Sequence, residues 1–299
     1  MTPAKRQKLQ ALMSQLTFGL EVEQLGISRS DYSVIHQINA MFTGRERFKQ
    51  VSDSSITGYN AGCEFVSGIM NYSSLSNVQE AVRLIRRGGG KAHPSCGIHV
   101  HVDGSRFLNN PKALIRLVRI VNRYERHMYH ALQADSLTAG QDRSVQRRPD
   151  GGVGWSRPVN PLFIERLDRL GKNPTIDQVR QAYYNAEGTS GTATYDSSRY
   201  RLLNLHALFS KGTIEFRCYN STIHAGKIKA YIQLSMMICC QALINSRAVK
   251  GQRSFDEAKS HYQVRTWLLK LGAIGPEYKT LMTHLTGHLK GNASWHREA

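Results

Sequence analysis

Three short stretches of the chain alternate apolar and polar residues with a period of two, the repeat of a strand with one face in a core. In residues 96–103, Ile98, Val100 and Val102 alternate with Gly97, His99, His101 and Asp103. In 17–23, Phe18, Leu20 and Val22 alternate with Gly19, Glu21 and Glu23. In 213–219, Ile214, Phe216 and Cys218 alternate with Thr213, Glu215, Arg217 and Tyr219. Each predicted strand therefore carries an apolar face and a face of carboxylates, imidazoles or a guanidinium. A fourth candidate, 63–67, has Glu64 as its single charge and apolar residues on both sides. A carboxylate so placed needs a cation or hydrogen bonds to remain buried.

Elsewhere the period lengthens to that of helices. The spacing predicts helices over 5–16, weakly over 28–46, and over 76–87 with Val78, Val82 and Ile85 as its stripe, ended by Gly88-Gly89-Gly90. Asn110-Pro111 opens a long one reaching about 133, whose Arg116, Arg119, Arg123 and Arg126 read as a solvated face. Short helices are expected at 161–170 and 175–186. Residues 226–246 are apolar on nearly all sides and should lie behind the sheet. Ser254-Phe255-Asp256-Glu257 reads as a capping box for a further helix, and a last one is expected at 277–289. A short strand at 48–52 leads into a turn at 53–55, and 199–206 reads as a strand joined to the Glu215 strand by a Lys211-Gly212 turn. Two irregular stretches remain, 188–198 and the basic loop 135–160 with Arg143, Arg147 and Arg148. Strands spread among helices without β-α-β alternation predict an α+β fold with a largely antiparallel sheet. The expected organisation is one domain over 1–299, with a core at about 17–240 and a helical extension at 247–299.

Composition narrows the class. The 299 residues are 40% hydrophobic, enough for a folded core rather than disorder. Forty Lys and Arg against 22 Asp and Glu leave a net charge of +18, and several of those acids sit on the strands above. Such a surface favours polyanions. The five cysteines include no Cys-x-x-Cys pair, which argues against a disulfide framework or structural zinc and for a reducing compartment. The most apolar run, 231–244, is too short to span a bilayer, and no signal-peptide core is evident. A cytoplasmic protein without membrane insertion is expected.

If the polar strand faces converge, Glu21, Glu23, Glu64, His99, His101 and Glu215 form a cation site beside Arg199, Arg201 and Arg217. Carboxylates with an imidazole suit Mg²⁺ or Mn²⁺, whereas zinc prefers more His or Cys. So many carboxylates exceed the needs of one Mg²⁺ and suggest two or more ions spanning a polyphosphate. Arginines beside them suit transferred phosphate or a substrate carboxylate. The chemistry indicated is nucleotide-dependent phosphoryl transfer.

The runs TFGLEVE, DSS followed by CEFVSGIM, CGIHVHVD, RYRLLNLHAL and GTIEFRCYNST resemble, in order and spacing, those of the amidoligase family. That family belongs to the carboxylate-amine ligase superfamily of glutamine synthetase. The resemblance spans roughly 17–240 and implies a curved antiparallel sheet, backed by helices, forming an active-site funnel around divalent cations and ATP. It implies metal ligands at Glu21, Glu23, Glu64, His99 and Glu215, and a nucleotide-side position at His101. Arg217, with Arg199 or Arg201, would contact phosphate or the acyl substrate, and Asp53 resembles a substrate-side acid. The activity implied is ATP-dependent joining of a carboxylate to an amine through an acyl phosphate. A kinase of the same superfamily, or a non-catalytic basic nucleic-acid-binding protein on this scaffold, are the other readings. The net charge adds a polyanionic acceptor, nucleic acid or an anionic cell-wall polymer, as an expected partner.

Overall fold

The computed structural model describes residues 1–56, 62–133, 155–247 and 249–294. In chain order the elements are α1 (Pro3–Gln15), β1 (Thr17–Leu25), α2 (Ser33–Asn39), β2 (Lys49–Val51), β3 (Gly62–Val66), β4 (Met70–Asn71), α3 (Leu75–Arg87) and β5 (Gly97–Asp103). There follow α4 (Ser105–Leu108), α5 (Pro111–Ala131), α6 (Pro161–Arg169), α7 (Ile176–Glu187), β6 (Leu203–Asn204), α8 (His206–Lys211) and β7 (Thr213–Asn220). The chain closes with α9 (Ala225–Ile244), α10 (Ser260–Leu271) and α11 (Lys279–Thr286).

The period-two stretches form an open antiparallel sheet in the order β2-β3-β1-β5-β7-β6, with β4 added to β1. Mixed α and β content with a mostly antiparallel sheet agrees with the α+β expectation. The side chains of Leu20, Val22, Ile98, Val100 and Phe216 are sealed in the core, against a layer centred on α9. That helix is apolar around most of its circumference, which is why it is buried rather than amphipathic. Caps set the other helices: Asn110 accepts from Ala113 N with Pro111 in the first turn, and Thr175 with Gln178 forms a capping box on α7.

Several elements differ from the sequence reading. The expected helix over 28–46 contracts to α2 and a 3-10 turn at Gly44–Glu46. Ser254 does not open a helix: Asp256 caps a 3-10 turn by accepting from Ala258 N, and α10 begins at Ser260. In place of a strand over 199–206 there is a 3-10 turn, the two-residue β6, and α8. Asn204 Oδ1 accepts from Ala207 N at 3.2 Å, turning the chain into α8, and Gly212 (φ 76°) ends that helix in the left-handed conformation before β7.

Of the arginines of α5, Arg126 is exposed as expected, whereas Arg116 and Arg119 are buried and Arg123 is partly covered. Arg116 Nε donates to Ala242 O (2.7 Å) and Arg119 pairs with Asp168 (2.5 Å). Arg123 donates to the carbonyls of Lys250 and Gly251, and Arg126 lies over the Phe255 ring. Arg116 and Arg119 tie α5 to α9 and α6, and Arg123 and Arg126 hold the segment after α9 against it. Most of the basic loop, including Arg143, Arg147 and Arg148, lies outside the described residues.

Candidate active site

Antiparallel registry places the polar positions of neighbouring strands side by side. Glu21 faces His99, Glu23 faces Glu64, His101 faces Glu215, and Asn204 faces Glu215. Directly opposed residues share a face of the sheet, so five strands contribute to one cluster. A bulge shapes its far side. Ile98 pairs with Tyr219 and Val100 with Phe216, so Arg217 and Cys218 together oppose His99. The extra residue turns Tyr219 away from the position that strict alternation predicts. Its ring stacks on Tyr231 at 4.4 Å and its hydroxyl meets Ser235 Oγ at 2.6 Å, within the helix layer.

His99 is at the centre and is only 2% exposed. Its Nδ1 is 2.8 Å from Glu21 Oε2 and 3.7 Å from Glu215 Oε1, while Nε2 is 3.7 Å from Glu23 Oε1. Glu215 also accepts from Arg217 Nη1 (2.5 Å) and Asn204 Nδ2 (2.6 Å), and Glu23 accepts from Gly97 N (2.6 Å). His101 spans Thr213 Oγ1 (3.0 Å) and Glu21 Oε1 (3.1 Å).

The four carboxylates do not behave alike. Burial works against charge on Glu21, but His101 and His99 more than offset it and hold its carboxyl well below the ordinary value. Burial likewise opposes charge on Glu215, yet Arg217 and the two imidazoles bring it to about 2. Glu64 is pushed up to about 10, first by burial and then by Glu21, Glu23 and Asp53. His101 is raised by Glu21 and Glu215 against the effect of burial.

Two overlapping groups, Glu21–His99–Glu215 and Glu23–Glu64–His99, each bring their ligating atoms within 4.8 Å of one another. Buried oxygen donors with one shared imidazole fit a hard divalent cation, and two groups leave room for more than one. The arginines fit a substrate oxyanion: the Nε–H groups of Arg217 and Arg199 are buried with no hydrogen-bond partner among the described residues.

The cleft over the cluster is lined by Glu21, Glu64, His99, Glu215, Arg217, Arg199 and Asp53. Asp53 accepts from Ser55 N (2.6 Å), which fixes its turn at the rim. Arg199 is held between Tyr195 and Tyr200, its Cζ 5.1 Å from each ring centre. Arg201 is not brought to the cleft. Its guanidinium grips Glu187 through Nε and Nη2 and donates to Pro158 O, so the choice between the two arginines falls on Arg199. His101 opens instead onto an adjoining, more apolar trough with Phe18, Gly19, Ile69 and Lys211. Sequence reasoning missed Asn204, His206, Lys211, Trp155 and Tyr195 as cleft residues. Asn204 and His206 lie inside the motif RYRLLNLHAL, whose order was the available signal. Trp155 and Tyr195 lie in irregular segments that carry no periodicity.

Fold and site together define a protein with an acid- and histidine-lined cleft on one face of an antiparallel sheet and helices on the other. The family model described as "putative amidoligase enzyme" matches residues 14–239, most of the chain and the stretch that holds every residue of the cluster. The chain belongs to this amidoligase family. No curated relative matches it at a significant level.

Proposed function

We propose that the protein is an ATP-dependent carboxylate-amine ligase. The observation that carries this reading is the nest of four carboxylates around His99, with Arg217 buried among them and Arg199 at its rim. A cluster this acidic is suited to phosphate only once cations neutralise it. Mg²⁺ or Mn²⁺ held by Glu21, Glu23, Glu64, His99 and Glu215 would supply that neutralisation along the polyphosphate. Arg217, anchored by Glu215 at one nitrogen, keeps its remaining N–H groups for the oxygens of the transferred phosphoryl or acyl group. Arg199, stacked between two tyrosines, clamps the same group from the rim. The apolar trough beside His101 would take the nucleotide base, and Asp53 would serve the acceptor side.

In this scheme a substrate carboxylate oxygen attacks the γ-phosphoryl group, giving ADP and an acyl phosphate. The amine then forms the C–N bond as the C–O bond to phosphate breaks and phosphate departs. Positioning and charge neutralisation supply the rate, and no protein nucleophile is required. The reading carries with it a sheet curved into a funnel like that of glutamine synthetase, and a cytoplasmic setting where ATP is available. No helix among the described residues is long and apolar enough to cross a membrane. A polyanionic acceptor, nucleic acid or anionic cell-wall polymer, is the partner that the net charge of +18 favours.

The test is ADP release with Mg²⁺ across amino acids, peptides, polyamines and polyanions. We expect release that requires both a carboxylate and an amine and disappears in Glu215→Gln. A stable phosphorylated product with no amine dependence would make it a phosphotransferase. No ADP with any substrate, together with nucleic-acid binding indifferent to Glu215→Gln, would remove the catalytic reading.

A further inference from the structure

A second cavity lies away from the cleft and shares no lining residue with it. It is bounded by the ends of α3 and α5, the loop after β7, the first turn of α9 and one side of α11, and encloses about 990 Å³ including its open mouth. No acidic residue lines it among the described residues.

The hydrogen bonds around the cavity use up acceptors and leave donors. Asn220 Nδ2 donates to the carbonyls of Leu132 (3.0 Å) and Gln133 (3.2 Å), which engages two backbone acceptors of the wall. Ser221 Oγ accepts from His93 N (3.3 Å) and Thr222 Oγ1 from His224 N (3.1 Å), so each hydroxyl retains its proton to donate. His224 Nδ1 accepts from Gly226 N (3.1 Å) and Lys227 N (3.2 Å), which places the ring proton on Nε2. Arg86 and Lys227 have no carboxylate partner among the described residues and add permanent charge. The free N–H groups that begin α9 are the ones His224 caps, so the attraction rests on side chains rather than on the helix end.

The wall thus offers several side-chain donors and two cations with no carboxylate among its described residues, and what complements it is an anion rich in acceptor oxygens. The donors outnumber what one carboxylate can accept, whereas a phosphate dianion offers three equivalent oxygens. Leu132, Ile223 and Tyr231 give an apolar side for an organic remainder. We propose that this cavity binds a phosphomonoester at a site independent of the catalytic cleft. His284 stands beside this wall, its ring 4.8 Å from that of His224, and burial is the first cause holding its imidazole below the ordinary value.

The test uses the full chain, with inorganic phosphate and glycerol 3-phosphate as probes, by titration calorimetry at constant ionic strength. The double variant Arg86→Ala/Lys227→Ala should weaken binding of glycerol 3-phosphate by about tenfold or more, the scale of losing two charge-assisted contacts. Arg83→Ala/Arg87→Ala, on the same helix but paired with Glu80, should change it by less than about twofold, the scale of exposed charges that make no contact. Thermal unfolding in phosphate-free buffer checks that the variants fold, with Lys227→Gln as a milder replacement. Equal losses in both double variants would mean that the general basic surface does the binding. Absence of binding at millimolar ligand, unaltered binding in the cavity variant, or a preference for succinate over both phosphates would also overturn the assignment. None of these outcomes depends on ligase activity, so failure here is distinct from failure of the proposed function.

Discussion

Arg217→Met, which keeps the apolar stem of the side chain and removes its charge, isolates the cost of the acidic nest. Arg217 is 7% exposed, Glu215 is 4% exposed, and their contact is 2.5 Å. Without the guanidinium, Glu215 retains Asn204 Nδ2 at 2.6 Å and His99 at 3.7 Å, with Glu21 nearby. Removing one member of a buried pair typically costs about 3–5 kcal/mol, because the remaining charge loses its strongest counter-ion where water cannot replace it. Unfolding entropy of about 2.1 cal/mol/K per residue over a chain of this length translates that cost into a fall in Tm of about 5–8 °C. The assay is calorimetric unfolding at pH 7 in EDTA, so that no cation substitutes for the guanidinium. The double variant Glu215→Gln/Arg217→Met should recover most of the loss while remaining inactive. If Arg217→Met unfolds within about 1 kcal/mol of wild type, or the double variant is no better than the single, the pair is not the electrostatic anchor described.

Three further outcomes are expected. Glu215→Gln should reduce Mg²⁺-dependent ADP release by about 100-fold or more, the scale of losing one electrostatic group in a closed site, and should weaken Mn²⁺ binding measured by calorimetry. Arg201→Ala should lower stability by about 2 kcal/mol through loss of its grip on Glu187, while Arg199→Ala should act on turnover with little effect on Tm; the reverse pattern would exchange their roles. Glu125 is raised to about 7 by burial, so the folded state holds its proton more tightly than the unfolded one. Its contribution is then complete below the ordinary carboxylate value and lost as pH rises through 7. Relative to wild type, Glu125→Gln should gain up to about 3 kcal/mol between pH 5 and pH 8, measured by thermal unfolding, and parallel curves would refute this.

The strands of the cluster were legible because side-chain direction in a strand depends on a count of two, and β1 and β5 keep that count without interruption. Pairing of Glu21 with His99 and of Glu23 with Glu64 needs only antiparallel neighbours, which the α+β pattern supplied. Tyr219 was misplaced because an inserted residue leaves no trace in composition: Arg217 and Cys218 look like any other alternating pair. Arg199 and Arg201 were indistinguishable for a related reason. Both sit in one basic run, and only the tertiary position of Glu187 and the two tyrosines separates them. The arginines of α5 obeyed helical spacing, but spacing does not say whether another segment comes to cover them. Length was also a poor guide at 199–206, where Asn204 diverts the chain into a helix by a side-chain bond that propensity does not count.

The two-for-one step at Arg217 and Cys218 is what lets Glu215 and Tyr219, an even number of positions apart, face opposite sides of the sheet. Glu215 on one side of it belongs to the cleft, and Tyr219 on the other belongs to the helix layer, and their relative phase is set at that single irregularity. Deleting Cys218 would restore strict alternation and keep the two ends on their observed faces, whereas deleting both bulge residues would bring Tyr219 onto the Glu215 face. A buried phenol would then be directed at the carboxylates, or a carboxylate at Ser235 and Tyr231. Natural or engineered variation in this strand should therefore appear as substitutions or as loss of the single extra residue, with two-residue gaps excluded between Glu215 and Tyr219.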